Sequence, residues 1–121
     1  MMVTDGPRID EAVLDAVSYA LVRLHERHHG HQPTSAKSLM MGEDLLACVL
    51  CDVYNDVEKT MIGLERYAVV HETRGAFQAA VRDRFIAEVE RLSGRRVLSF
   101  STHHHVDPDL EVALFVLESR A

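Results

Sequence analysis

The stretch Arg96-Val97-Leu98-Ser99-Phe100-Ser101-Thr102-His103-His104-His105-Val106-Asp107-Pro108-Asp109-Leu110-Glu111-Val112-Ala113-Leu114-Phe115-Val116-Leu117-Glu118 decides the fold. Arg96 to Thr102 alternates, with Leu98 and Phe100 facing one way and Ser99 and Ser101 the other, which predicts a half-buried strand. Asp107-Pro108-Asp109 is turn chemistry: aspartate closes on its own backbone and proline fixes φ. Leu110 to Glu118 predicts a second strand. Leu110, Val112, Leu114 and Val116 line one of its faces, and Ala113, Phe115 and Leu117 make the other apolar too. A strand without a wet face is central to its sheet and covered on both sides.

Working outward, the preceding sequence repeats the pattern. Ser35 to Met41 predicts a strand, Gly42-Glu43 a tight hairpin turn, and Asp44 to Asp52 the returning strand. Leu45, Ala47 and Val49 occupy one side of that strand and Leu46, Cys48 and Leu50 the other, so it too reads as central. Between the hairpins, Asn55 followed by Glu58 predicts a capped start to a short helix ending near Leu64. A longer helix follows from about Ala68 to Ser93, with Phe77, Ala80, Val81, Phe85, Val89 and Leu92 as its apolar stripe. Gly94 ends it, and Arg95-Arg96 fall near the negative end of its dipole. Ahead of the first hairpin, Ile9, Val13, Ala16, Val17, Ala20, Leu21 and Leu24 mark one face of a helix. That helix closes near His29 with Gly30 as cap and Pro33 as stop.

The order is α-β-β-α-α-β-β. It predicts an α+β fold, a four-stranded antiparallel sheet packed with helices, as a single domain over residues 8–118 with residues 1–7 frayed. Three modest helices leave one face of such a sheet to be covered. A homodimer is the expected cover, the alternative being that the long helix folds over the second face.

Composition narrows the function. A chain of 121 residues supports one core, and 47% apolar content is ordinary for a globular protein. A net charge of −6 predicts no nucleic-acid partner. No apolar run reaches the roughly 20 residues a bilayer span needs. Met1 to Pro7 lacks a basic region followed by an apolar one, so no secretory signal is expected. The expected location is the cytoplasm, with any membrane association peripheral, at the inner face.

Several residue groups carry possible chemistry. His25, His28, His29 and His31 crowd the end of the first helix, and His25 and His29, four apart, can face one metal ion. His105 with Asp107 or Asp109 can form a His–carboxylate metal site or a general-base pair, and the two clusters would form one site if they met. The simpler readings are solvated histidines favoured by the helix dipole and an ordinary hairpin turn. Cys48 and Cys51 stand three apart on a strand and so point to opposite faces, which predicts two small core residues and no redox pair. Lys37, Arg66, Arg74, Arg82 and Arg84 can form a basic patch, with Glu58, Glu65, Glu72 and Asp83 near enough in sequence to pair with them on the surface. No Gly-rich phosphate loop and no nucleophile beside an obvious base occurs, so neither an enzyme nor a cofactor is expected.

Short stretches in order carry a family resemblance: Gly30-His31-Gln32-Pro33-Thr34, Asp44-Leu45-Leu46, Glu58-Lys59-Thr60, Arg66, Glu72-Thr73-Arg74 with Phe77, Ser93-Gly94-Arg95-Arg96-Val97, His105-Val106-Asp107-Pro108-Asp109 and Val116-Leu117-Glu118. Together they make the chain resemble the MpsC-like family of small bacterial proteins. Gln32, Leu64-Glu65 and Gly75 depart from its pattern, and the first histidine cluster lies outside it. The resemblance implies an accessory protein of a sodium-translocating, membrane-potential-generating system, with no catalytic residue. The expected recognition surface combines Pro33, Thr34, Lys37, Arg66, Arg74, His105, Asp107 and Asp109, with His25, His29 and His105 as the candidate metal ligands.

Overall fold

Because β-strands apolar on both faces must be central, the two hairpins join through their inner strands. The computed structural model, which describes residues 9–119, shows this arrangement. The elements are α1 (Glu11–His29), β1 (Ser35–Met41), β2 (Leu45–Cys51), α2 (Asp56–Gly63), α3 (Tyr67–Ser93), β3 (Val97–His105) and β4 (Leu110–Leu117). The sheet order is β1-β2-β4-β3, antiparallel throughout. The expected fraying of residues 1–7 lies outside the described residues.

Local chemistry sets the helix ends. Asp10 caps α1 by accepting from the Val13 N–H at 3.0 Å. Gly30 closes it at φ 67°, a left-handed conformation in which glycine carries no Cβ penalty. Asn55 and Glu58 form a reciprocal capping box on α2. Arg95, after α3, is 7% exposed. It donates to the carbonyls of Glu43 and Glu118 and to the Asp44 carboxylate, tying the β1–β2 turn to the end of β4.

All the helical packing falls on one face of the sheet. α1 lies over β1 and β2, α3 lies along β3, and the two helices pack on each other. Val17 and Leu21 of α1, Leu46 and Leu50 of β2, and Phe85 and Val89 of α3 are all at most 1% exposed. Phe85, Phe100 and Phe115 bind α3 to β3 and β4, with ring centroids 6.0 and 4.8 Å apart.

Three expectations need correction. The buried stripe of α3 is Val70, Arg74, Val81, Phe85 and Val89, while Phe77 and Ala80 are exposed. An arginine with buried partners takes the place that hydrophobicity alone assigned to Phe77. In β3, Leu98 does not share a face with Phe100: a bulge between Val97 and Ser99 inserts Leu98 as an extra residue and leaves it 55% exposed. β3 runs past the expected end at Thr102 to take in His103, His104 and His105, which alternate along the strand and pair with Val112, Glu111 and Leu110. As expected, β2 and β4 are covered by helices on one face only; the alternative that the long helix folds over the second face is not met, since α3 packs beside α1.

The middle of the outer face, on β2 and β4, is therefore apolar and partly exposed, bordered by Lys37 of β1 and by Ser99, Ser101, His103 and His105 of β3. Leu45, Ala47 and Val49 of β2 lie on it beside Leu114, Val112 and Val116 of β4, with Leu39 and Met41 of β1 at its margin. Cys48 points inward and Cys51 outward, both as free thiols, and burial pushes the Cys48 thiol up to about 11. Replacing Phe115, which is 0% exposed, by alanine removes the ring that bridges Phe100 to the core. Phe115→Ala is expected to lower the unfolding free energy by about 3–5 kcal/mol, measured by urea denaturation.

Candidate functional site

Where the helices meet the inner sheet face, the structure gathers charged side chains in an otherwise apolar interior. Arg74, 1% exposed, projects from the buried stripe of α3. Its guanidinium grips the Glu58 carboxylate as a two-pronged fork, with Nε to Oε2 and Nη2 to Oε1 both 2.6 Å. Nη2 also donates to the Val53 carbonyl, and the guanidinium lies 5.1 Å from the centroid of the Tyr54 ring. Glu58 can be in this place because the capping box fixes it in the first turn of α2.

The third direction of the guanidinium fixes a tautomer. Arg74 Nη1 lies 2.7 Å from His25 Nε2. Arginine has only donors, so His25 Nε2 must accept, and the ring proton sits on Nδ1, 3.4 Å from the His31 carbonyl. His25 is thus a neutral imidazole. Burial, helped by Arg74 and opposed by Glu111, lowers its pKa to about 4. His29 stacks on it at 4.4 Å between ring centroids and is lowered to about 3 by burial, Arg74 and His25. Burial pushes the Glu58 carboxyl upward, but Arg74 and the Asn55 N–H outweigh it and hold the group below the ordinary carboxylate range.

A second carboxylate lies behind. Glu111, 1% exposed, points inward from β4, with Oε1 3.8 Å from Arg74 Nη1 and 2.8 Å from His104 Nε2. The His104 approach is close in distance but misdirected, so His104 Nε2 and both Glu111 oxygens lack a hydrogen bond. Burial raises the Glu111 carboxyl, and His104, His25 and Arg74 together reverse the shift and leave it lowered. The whole cluster ties α1, α2 and α3 to the β3–β4 hairpin. The surface pairing expected for Arg74 is corrected here: its carboxylate partner is Glu58, and the pair is buried.

A polar junction borders the cluster. The Thr34 N–H donates to the Cys51 carbonyl, the Asp52 N–H to the Asp109 carbonyl, and the Val53 N–H to Asp109 Oδ1 at 2.8 Å. His31 Nε2 meets the Asp52 carbonyl, and Lys59 pairs with the Asp52 carboxylate at 3.0 Å. The Gly30–Thr34 loop and the turn before β4 are thereby joined through Asp52 at one end of the sheet. Pro33 is buried there, whereas Thr34 and Asp107 are exposed. His105 Nδ1 lies 3.0 Å from the Pro108 carbonyl. Lys37 faces outward from β1, and Arg66, exposed, precedes α3 without a side-chain cap bond.

The proposed trio of metal ligands is not brought together. His25 and His29 touch, but strand alternation puts His105 on the outer sheet face, and His104 is the histidine that turns inward. Among the described residues no group of three or more His, Cys, Asp or Glu is placed to hold a metal ion. Sequence reasoning missed Glu111, His104 and Tyr54, and took Glu58 only as a cap. The signal for Glu111 was its phase: it shares the inner face with Ala113, Phe115 and Leu117, where a lone carboxylate needs partners.

These features define a small α+β protein with helices on one face of an antiparallel sheet, a buried ionic cluster at their junction and an uncovered apolar face. No helix among the described residues is long and apolar enough to cross a membrane. Over residues 11–119 the chain matches the family described as "Na+-translocating membrane potential-generating system (MpsC)", and it belongs to the MpsC family. No curated protein and no solved structure matches it. Two of the stretches that carry the family resemblance, Glu58-Lys59-Thr60 and Glu72-Thr73-Arg74, supply the buried ion pair.

The neutral histidines give stability a definite pH dependence. Unfolded, both titrate near about 6.5. Folded, they stay neutral down to about 4 and about 3. As pH falls below about 6.5, the unfolded chain binds protons that the folded chain refuses, so stability decreases. The lowered carboxyls of Glu58 and Glu111 act in the same sense at still lower pH. For His25 alone the loss at pH 5 relative to pH 7.5 is about 2 kcal/mol. Urea denaturation across this range is expected to show the decline, and His25→Gln to flatten it by about that amount.

Proposed function

We propose that this MpsC-family protein is a non-catalytic accessory subunit. It acts as a homodimer in the cytoplasm and docks on a membrane ion-transport system at the inner face. The observation that carries the reading is the outer face of the sheet. β2 and β4, about 4.8 Å apart and roughly 23 Å long, with Leu39 and Met41 of β1 beside them, give an apolar area of roughly 300 Å² in projection. An apolar patch of roughly 300 Å² is comparable to the largest on a typical monomer, which is often functional. The helices that would normally hide it lie on the other side. A second copy, presenting the same face, covers it through an isologous contact. The polar junction, with Thr34 and Asp107 exposed at its rim, is then left for the transport partner. The family description supports the link to sodium translocation.

Leu114 lies near the middle of the outer face, paired with Ala47 and Ser101. Sedimentation equilibrium is expected to give twice the chain mass of 13.6 kDa for the native protein and the single mass for Leu114→Glu. A native protein that sediments as a monomer at tens of micromolar contradicts the homodimer. Affinity capture from solubilised native membranes that recovers no ion-transport subunit contradicts the accessory role.

A further inference from the structure

The side of the helix layer away from the sheet carries a groove of about 950 Å³ between α1 and α3, lined by these two helices alone. Ala16, Ala20 and Leu24 supply its floor from α1, and Ala87 and Leu92 from α3. On each helix the lining residues recur three and four apart, so each contributes one continuous stripe. Positions 16 to 27 of α1 extend roughly 17 Å. Alanines on both walls let a third helix approach closely, at the separation of ordinary helix packing.

The rim is basic on a chain whose net charge is −6. Arg23, Arg27, Arg84 and Arg91 line it, against Glu26 and Glu88. Glu88 is taken by Arg91 at 2.9 Å. Arg23 stacks on Tyr19 and donates to its hydroxyl. Neither Arg27 nor Arg84 meets a carboxylate among the described residues; Arg84 Nη1 lies 3.5 Å from His28 Nε2. Burial and the guanidiniums of Arg84 and Arg27 lower the His28 imidazole, a sign of cations crowded without a counter-charge. The dipole of α1 favours Arg27 and His28 in its last turn, but Arg84 is far from either end of α3 and has no such support.

We propose that the groove between α1 and α3 seats an acidic amphipathic helix of a partner protein. The apolar face of that helix meets the alanine and leucine floor, and its carboxylates meet Arg27 and Arg84. The proposal rests on the partner-binding reading above and names the partner's chemistry. A concave groove with an apolar floor fits a helix. A lipid surface would call for a flat basic face. Because the groove lies opposite the outer sheet face, it stays open when a second copy covers that face.

The test is fluorescence anisotropy with the full chain and two synthetic peptides. One has about 16 residues, leucine and alanine on one helical face and glutamate on the other. The second has lysine at every glutamate position. The acidic peptide is expected to bind saturably and its lysine twin not to bind. The double substitution Arg27→Glu with Arg84→Glu should weaken the acidic peptide at least about tenfold and admit the twin. An unchanged melting temperature shows that this variant is folded. The proposal is overturned by no binding of the acidic peptide, by equal binding of both, by indifference to the charge reversal, or by binding to anionic lipid vesicles in place of the peptide. Leu114→Glu separates the two readings. Peptide binding by a monomeric chain leaves the groove standing without the dimer, and a dimer that ignores the peptide does the reverse.

Discussion

A guanidinium with 1% exposure cannot be left alone, and this constraint organises the structure. Removing one partner of a buried ion pair costs about 3–5 kcal/mol, because the other charge is stranded in a medium that solvates it poorly. Arg74 therefore dictates where α2 must lie, since only Glu58 neutralises it in a fork. It also dictates the angle of α1, since His25 must offer a lone pair to Nη1. Glu111 and His104 extend the same requirement to the β3–β4 hairpin. Any packing that slides α3 by one turn separates these groups. The cluster's physical effect is to forbid alternatives, while the aromatic contacts of Phe85, Phe100 and Phe115 supply burial.

The same arrangement explains why one sheet face is bare. α1 and α3 are held side by side by contacts to each other and to the cluster, so neither swings across to the far side of β2 and β4. Two strands rich in Leu, Val and Ala then show an apolar surface to water. Helices with opposed sides, one toward the sheet and one toward the basic groove, leave the molecule with two surfaces of different character. One is apolar at its centre and the other has a basic rim. Under the proposals above, association with a second copy accounts for the first surface and with an acidic helix for the second.

Much of the fold was legible in the sequence because local signals agreed with it. Asn55 and Glu58 form their capping box, Gly30 and Gly94 close their helices, and the apolar residues on both faces of β2 and β4 identified the central strands. What was not legible depended on distant partners. Arg74 looks like a surface residue until Glu58, sixteen positions earlier, is brought beside it. Leu98 keeps the alternating pattern in sequence, and a bulge breaks it in space. The histidine clusters illustrate both outcomes. The four-residue spacing put His25 and His29 in contact. The alternation of His103, His104 and His105 was legible too, but which face looked inward depended on the pairing with Glu111, so the structure chose His104 over His105.

The account turns on whether Arg74 and Glu58 act as one unit. A double-mutant cycle in urea denaturation at neutral pH, with Arg74→Met, Glu58→Gln and their combination, addresses this directly. Coupling of about 3 kcal/mol is predicted, with the double variant less damaged than the sum of the singles. Single effects that add to within about 0.5 kcal/mol would contradict the claim that this buried pair holds the helices in register.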